Sequence, residues 1–279
     1  MNLPKIPLSK WIDSLEAWLE ANFEPLFKLI RLVIGETVNG LEAFLDFFPP
    51  IVLILLFTAL AWYISKWKMA LFTLIGLLII DNLNLWDQTM QTLALVLTSA
   101  LISIVIGIPI GILCSRSETI QKIVTPTLDF MQTMPAFVYL LPAITFFSLG
   151  VVPGVISSII FAIPPTIRLT NLGIRQVPSD LVEAANAFGS TSSQKLFKLQ
   201  LPLAMPTIMA GINQTIMLSL SMVVIASMIG AQGVGEYVYR AVTQGKTGAG
   251  FEAGLAVVIL AIVLDRLTQG VIRKSKVNQ

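Results

Sequence analysis

Between Asp129 and Arg168 the chain runs for 38 residues without a formal charge, and between Asp87 and Arg116 for another 28. A helix needs about 20 apolar residues to cross the hydrocarbon core of a bilayer, so these runs alone point to a chain that lives in lipid. Composition agrees. Charged residues make up 12% of the 279 residues and hydrophobic ones 55%, with a mean hydropathy of +0.82. A soluble domain carries about 25% charged residues, so this chain has half the charge a water-facing surface requires. The expected class is all-α, a polytopic membrane protein with about seven transmembrane helices.

The gaps between charges place the spans. Residues 47–65 are uncharged and start a span at Pro49-Pro50. The gap 69–80 is short, and spans only if Lys66 and Lys68 snorkel at one end and the region of Trp86 completes the other. Residues 88–115 form a clean run in which Gly107 and Gly111 have the small-xxx-small spacing of a packing face. The long run 130–167 is broken at Gly150 and Pro153 into spans at about 127–149 and 153–171. Residues 203–229 and 252–272 complete the set, with Asp265-Arg266 near the end of the last.

Lysine and arginine placement predicts the orientation. One set of loops holds 12 of the 18 basic residues and the other six, whereas 11 of the 16 acids fall on the second side. The first side is therefore expected to be cytoplasmic, with the N-terminus outside and the C-terminus inside. Residues 1–48 place Trp, Leu, Phe and Ile at three- and four-residue spacing, as amphipathic helices in the membrane interface do. A packed outer layer on the spans would give the same pattern. Residues 49–86 read as two extra N-terminal spans, 87–272 as a five-helix core, and 273–279 as a basic cytoplasmic tail.

Several chemistries are excluded. Histidine is absent and Cys114 is the single cysteine, which removes His-based catalysis, disulfides and the usual zinc and iron–sulfur sites. A net charge of +2 gives no reason to expect nucleic acid. Gln244-Gly245-Lys246-Thr247 imitates the end of a phosphate-binding loop, but Arg240 stands where the first glycine would be needed. No metal site and no bound cofactor are expected on this chain, and no enzymatic activity.

One cytoplasmic loop is long, 172–202, and it has its own helix grammar. Asp180 with Glu183 reads as a capping box, Gly189 as a left-handed helix end, and Thr191 with Gln194 as a second capping box, with Pro202 closing the second helix. Leu181, Ala184, Ala185 and Phe188 make one apolar face, and Leu196, Phe197 and Leu199 the next. The spacing of Glu183-Ala184-Ala185, Gly189, Leu199 and Leu201-Pro202 resembles the EAA loop of ABC-importer permeases. The text from about 85 to 272 is similar to the glycine betaine/proline betaine branch of that family.

That resemblance implies a type I ABC-importer permease core whose loop docks into an ATPase subunit through Glu183, Ala184, Ala185, Gly189, Leu199 and Pro202. It also implies a homodimer of this chain, two ATP-binding subunits carrying ATP and Mg, and an extracytoplasmic substrate-binding protein. The setting would be a bacterial cytoplasmic membrane, and the cargo a quaternary ammonium osmolyte such as glycine betaine. An ion-coupled secondary transporter is the competing class; it would need coupling groups at the midplane and an inverted repeat, and no repeat is visible.

Polar residues within spans are the candidates for a translocation path. Asn213 and Gln214, with Ser219 and Ser221, either bond between helices or line a polar route, and Gln132, Thr133 and Tyr139 could face the same route. Asp129 reads as the N-terminal cap of a helix.

Overall fold

In a computed structural model that describes residues 7–277, the described residues form helices joined by short links. The N-terminal segment is one helix, α1 (Leu8–Asp46), rather than several, and it runs through Pro25 unbroken. Its second half packs on the spans, burying Ile34, Val38 and Leu45 and stacking Phe27 on Phe146. Its first half leaves Trp11, Ile12, Leu15 and Trp18 exposed.

Helices α2 (Pro50–Ser65) and α3 (Trp67–Asn82) follow as a hairpin hinged on Lys66 alone. Next come α4 (Trp86–Arg116), α5 (Glu118–Thr133), α6 (Ala136–Phe147) and α7 (Val151–Arg175). The loop forms α8 (Ser179–Ala187), α9 (Ser192–Lys195) and a π-turn at Leu196–Gln200, which runs directly into α10 (Leu201–Ser221). The chain closes with α11 (Val223–Ser227), α12 (Val234–Gln244) and α13 (Thr247–Val277). The predicted tail 273–279 thus continues α13 as far as Val277, and its last two residues lie outside the described ones.

Among the described residues four helical stretches are long and apolar enough to cross a membrane: Trp86–Arg116, Val151–Arg175, Ser192–Ser227 and Thr247–Gly270. Two bent pairs, α1 with α2, turned by 99°, and α5 with α6, turned by 100°, raise the number to six if each pair counts as one span. The second bend breaks the predicted span 127–149 between Thr133 and Ala136. Its cause is Pro135, which pushes the residue before it out of the α region: Met134 is extended at ψ 137°. The first bend has the same cause, with Pro49 extended at ψ 145° ahead of Pro50. Asp129, expected as a cap, lies inside α5, whose actual cap is Ser117, accepting from the Ile120 N–H.

The core is built on close approach of α4, α7 and α10. A Cβ on Gly107 would stand 2.9 Å from the Thr166 methyl, and one on Gly111 2.8 Å from the Ile167 carbonyl, so these glycines are the contact face that their spacing suggests. Gly211 meets the Pro165 carbonyl in the same way on the other side of α7. The α2–α3 hairpin docks on α13, where Gly270 leaves room for Ile64 and Ser65 donates to the Arg266 carbonyl.

Candidate functional site

Two regions hold the candidate residues: the loop between α7 and α10, and the polar groups within the spans.

The loop begins at Pro178, which caps α8 with extended backbone at ψ 131°. Because the helix starts at Ser179, Asp180 is already inside it and makes no cap; the predicted Asp180–Glu183 box is absent, and Asp180 instead accepts from the Ser179 hydroxyl. The far end is as expected. Gly189 takes φ +74°, the Ser190 N–H donates to Ala185 and the Gly189 N–H to Asn186, which is the paired bonding of a Schellman end. Thr191 and Gln194 then exchange both bonds of a capping box, at 3.2 and 2.9 Å.

The second helix does not stop at Pro202. Pro202 sits in the first turn of α10, where its missing N–H costs least, and the π-turn just before it carries the helix through without a break. The loop is therefore the head of a 36-residue helical rod, Ser192–Ser227, that crosses the membrane. Lys195 bonds back to Asn186 at 2.9 Å within the head, and Arg116 at the end of α4 bonds to the Ser192 carbonyl at 3.2 Å, tying the head to the bundle.

The loop turns its apolar residues outward. No residue of α8 is buried, Glu183 and Ala184 are exposed, and Phe188 is 90% exposed at the tip. Leu196 is buried and Leu199 half-buried against the bundle, while Phe197 again faces out. An exposed aromatic thus stands beside small residues on a head that is continuous with a span.

The polar residues of the spans fall into two groups. On α5, Gln132 accepts from the Arg168 guanidinium at 2.6 Å and Asp129 from the same fork at 2.5 Å. Tyr139 on α6 donates back across the bend to the Met131 carbonyl, and Thr133 spends its hydroxyl on its own helix. On α10, Asn213 donates to Asp265 of α13 at 2.9 Å, and Gln269 donates to the same carboxylate at 2.8 Å. Gln214 is exposed, Ser219 is buried, and Ser221 donates to the Met217 carbonyl. Arg168, Asp129 and Asp265 were not among the predicted path residues; the lone cation that ends 38 uncharged positions was the available signal for the first.

A model of the binding-protein-dependent transport system inner membrane component matches residues 103–277, well over half of the chain. The chain belongs to that family. The permease is 62% identical to the glycine betaine transport system permease protein OpuAB of Bacillus subtilis, over 98% of this chain and 97% of the relative. It is 54% identical to the glycine betaine/carnitine transport permease protein GbuB of Listeria monocytogenes, over 99% of both chains. The glycine betaine/proline betaine transport system permease protein ProW of Escherichia coli is 51% identical, over 97% of this chain and 77% of the relative. Among solved structures, the permease shares the fold of a chain of the MetNI methionine ABC transporter in inward-facing conformations. The TM-score is 0.64 at 22% identity, covering 68% of this chain and 95% of the other. The architecture is thus the all-α membrane fold of a type I ABC-importer permease.

Proposed function

We propose that this permease forms the translocation path for glycine betaine or a related quaternary ammonium osmolyte, as a homodimer joined to two ATPase subunits and an extracytoplasmic binding protein. The observation that carries the reading is the α8–α9 head with Phe188 at its tip, continuous with the α10 span. The names of the relatives supply the class of cargo.

The mechanism follows from the stiffness of that rod. ATP and Mg bind on the partner subunits, whose closure moves the cleft that holds the head. Glu183, Ala184, Ala185 and Gly189 shape the head, and Leu199 and Pro202 join it to the span. Because the joint is helical and tied to α4 by Arg116, a displacement of the head turns α10 and the helices packed on it instead of being absorbed in a flexible loop. In this orientation the head and the C-terminus are cytoplasmic and the N-terminus faces out.

Reconstitution in lipid vesicles with the ATPase and binding protein tests the reading. ATP hydrolysis should rise when glycine betaine and binding protein are both present, with uptake of the osmolyte into the vesicle. Hydrolysis that ignores every quaternary ammonium osmolyte would overturn it.

A further inference from the structure

Arg168 is the 18th of the 25 residues of α7, so about 10 Å of helix separates it from the end of the span. Asp129 is likewise deep in α5 rather than at its start. Charges within spans are costly in lipid and face the interior of a bundle or a water-filled cavity. The Arg168 and Asp129 side chains are 39% and 61% exposed on the subunit, so the face on which they meet is left uncovered, and charges on such a face call for water or a partner rather than lipid. A half-exposed pair of this kind holds two helices together only weakly.

We propose that Arg168 and Asp129, with Gln132 beside them, form a transient binding station for a zwitterion bearing a carboxylate and a quaternary ammonium group. The station rests on the permease reading above and gives it a location, the α5–α7 face. The guanidinium fork that now spans Asp129 and Gln132 can receive a carboxylate by two parallel bonds. Asp129, released from the fork, faces the quaternary ammonium. That group has no N–H to donate and is held by charge.

The exchange adds no net charge: one protein ion pair opens and two protein–ligand pairs replace it. When the ligand leaves, Arg168 and Asp129 close on each other again. Such a site is weak by construction, because ligand must displace a pair already made, and a path requires sites that can be left. It is also selective. A simple cation leaves Arg168 without an anion, and a simple anion leaves Asp129 without a cation. Another carboxylate within a span, Asp265, lacks this chemistry: its donors are the amides of Asn213 and Gln269, and Arg266 stands 3.8 Å away on the same helix.

The test uses the assembled importer in open membrane vesicles, with Thr133→Cys in a Cys114→Ala background as the reporter, one position beyond Gln132. Alkylation of the new thiol by a maleimide should be slowed saturably by glycine betaine, and not by choline or by sucrose at equal osmolarity. Arg168→Gln and Asp129→Asn should each raise the half-protecting concentration about tenfold or more, the effect of losing one bond to a charged group. Arg168→Lys, which keeps the cation and loses the fork, should fall between, and serves if Arg168→Gln does not assemble. A pair that merely ties α5 to α7 would give no protection by ligand in any background. Betaine-stimulated ATP hydrolysis in the same vesicles without protection overturns the station and leaves the importer standing. Protection without any osmolyte-stimulated hydrolysis upholds the station and overturns the importer.

Discussion

The Thr166 and Thr215 hydroxyls lie 2.7 Å apart in the buried contact of α7 with α10. Thr215 gives its own proton to the Ala162 carbonyl at 2.8 Å, so Thr166 is the donor of the pair. The Ala162 carbonyl lies near Pro164 and Pro165, and Gly211 brings α10 close enough for Thr215 to reach it. Thr215→Val keeps the shape and removes both bonds. Interhelical bonds in membranes average about 0.6 kcal/mol and reach about 1.7 kcal/mol, so the purified protein should lose unfolding free energy of that order and melt at a lower temperature. A double-mutant cycle with Thr166→Val should recover most of the coupling. A melting point equal to that of the parent would mean the bond contributes nothing.

Gly111 and Gly40 should respond oppositely to alanine. A Cβ on Gly111 stands 2.6 Å from the Thr170 Cβ and 2.8 Å from the Ile167 carbonyl, and backbone cannot swing aside. Overpacking of that kind costs about 1–3 kcal/mol. At Gly40 in α1 a Cβ meets nothing within 4 Å, so Gly40→Ala should stabilise by roughly 0.5–1 kcal/mol through helix propensity. Thermal unfolding in detergent compares the two; equal shifts would contradict the α4–α7 packing described here.

Gly189→Val tests the head of the lever. A Cβ there meets nothing within 4 Å, so the whole cost is the φ of +74°, about 1–2 kcal/mol for a β-branched residue and borne locally. The chain should still insert and fold. The tip carrying Phe188 should be re-aimed, lowering uptake per ATP hydrolysed. Normal uptake together with full ATPase association would count against the coupling role.

Orientation can be read by thiol labelling in the Cys114→Ala background. Ser193 and Gln244 are both exposed, one on the loop head and one at the end of α12. With cysteine at position 244 an impermeant reagent should react on whole cells, and with cysteine at 193 only after permeabilisation. Reaction of both from one side would reverse the assignment of one end of α10.

The sequence alone located the four long spans and the Gly189–Gln194 turn of the loop, because both are written locally. An uncharged run of sufficient length partitions into lipid whatever surrounds it. The Thr191–Gln194 box and the left-handed Gly189 involve groups only a few residues apart. Tertiary structure decided the rest. Pro25, Pro109, Pro126, Pro142, Pro164, Pro165 and Pro206 all lie inside continuous helices, whereas Pro135 marks a turn of 100°. A proline removes one backbone bond and biases the residue before it, and neighbouring helices settle whether the chain bends or runs on. Arg168 and Asp129 are 39 residues apart, and Asn213 and Asp265 are 52 apart. Nothing local marks them as partners, since which faces of two helices meet is fixed by tertiary packing, and a charge in lipid takes whatever partner that packing brings within reach.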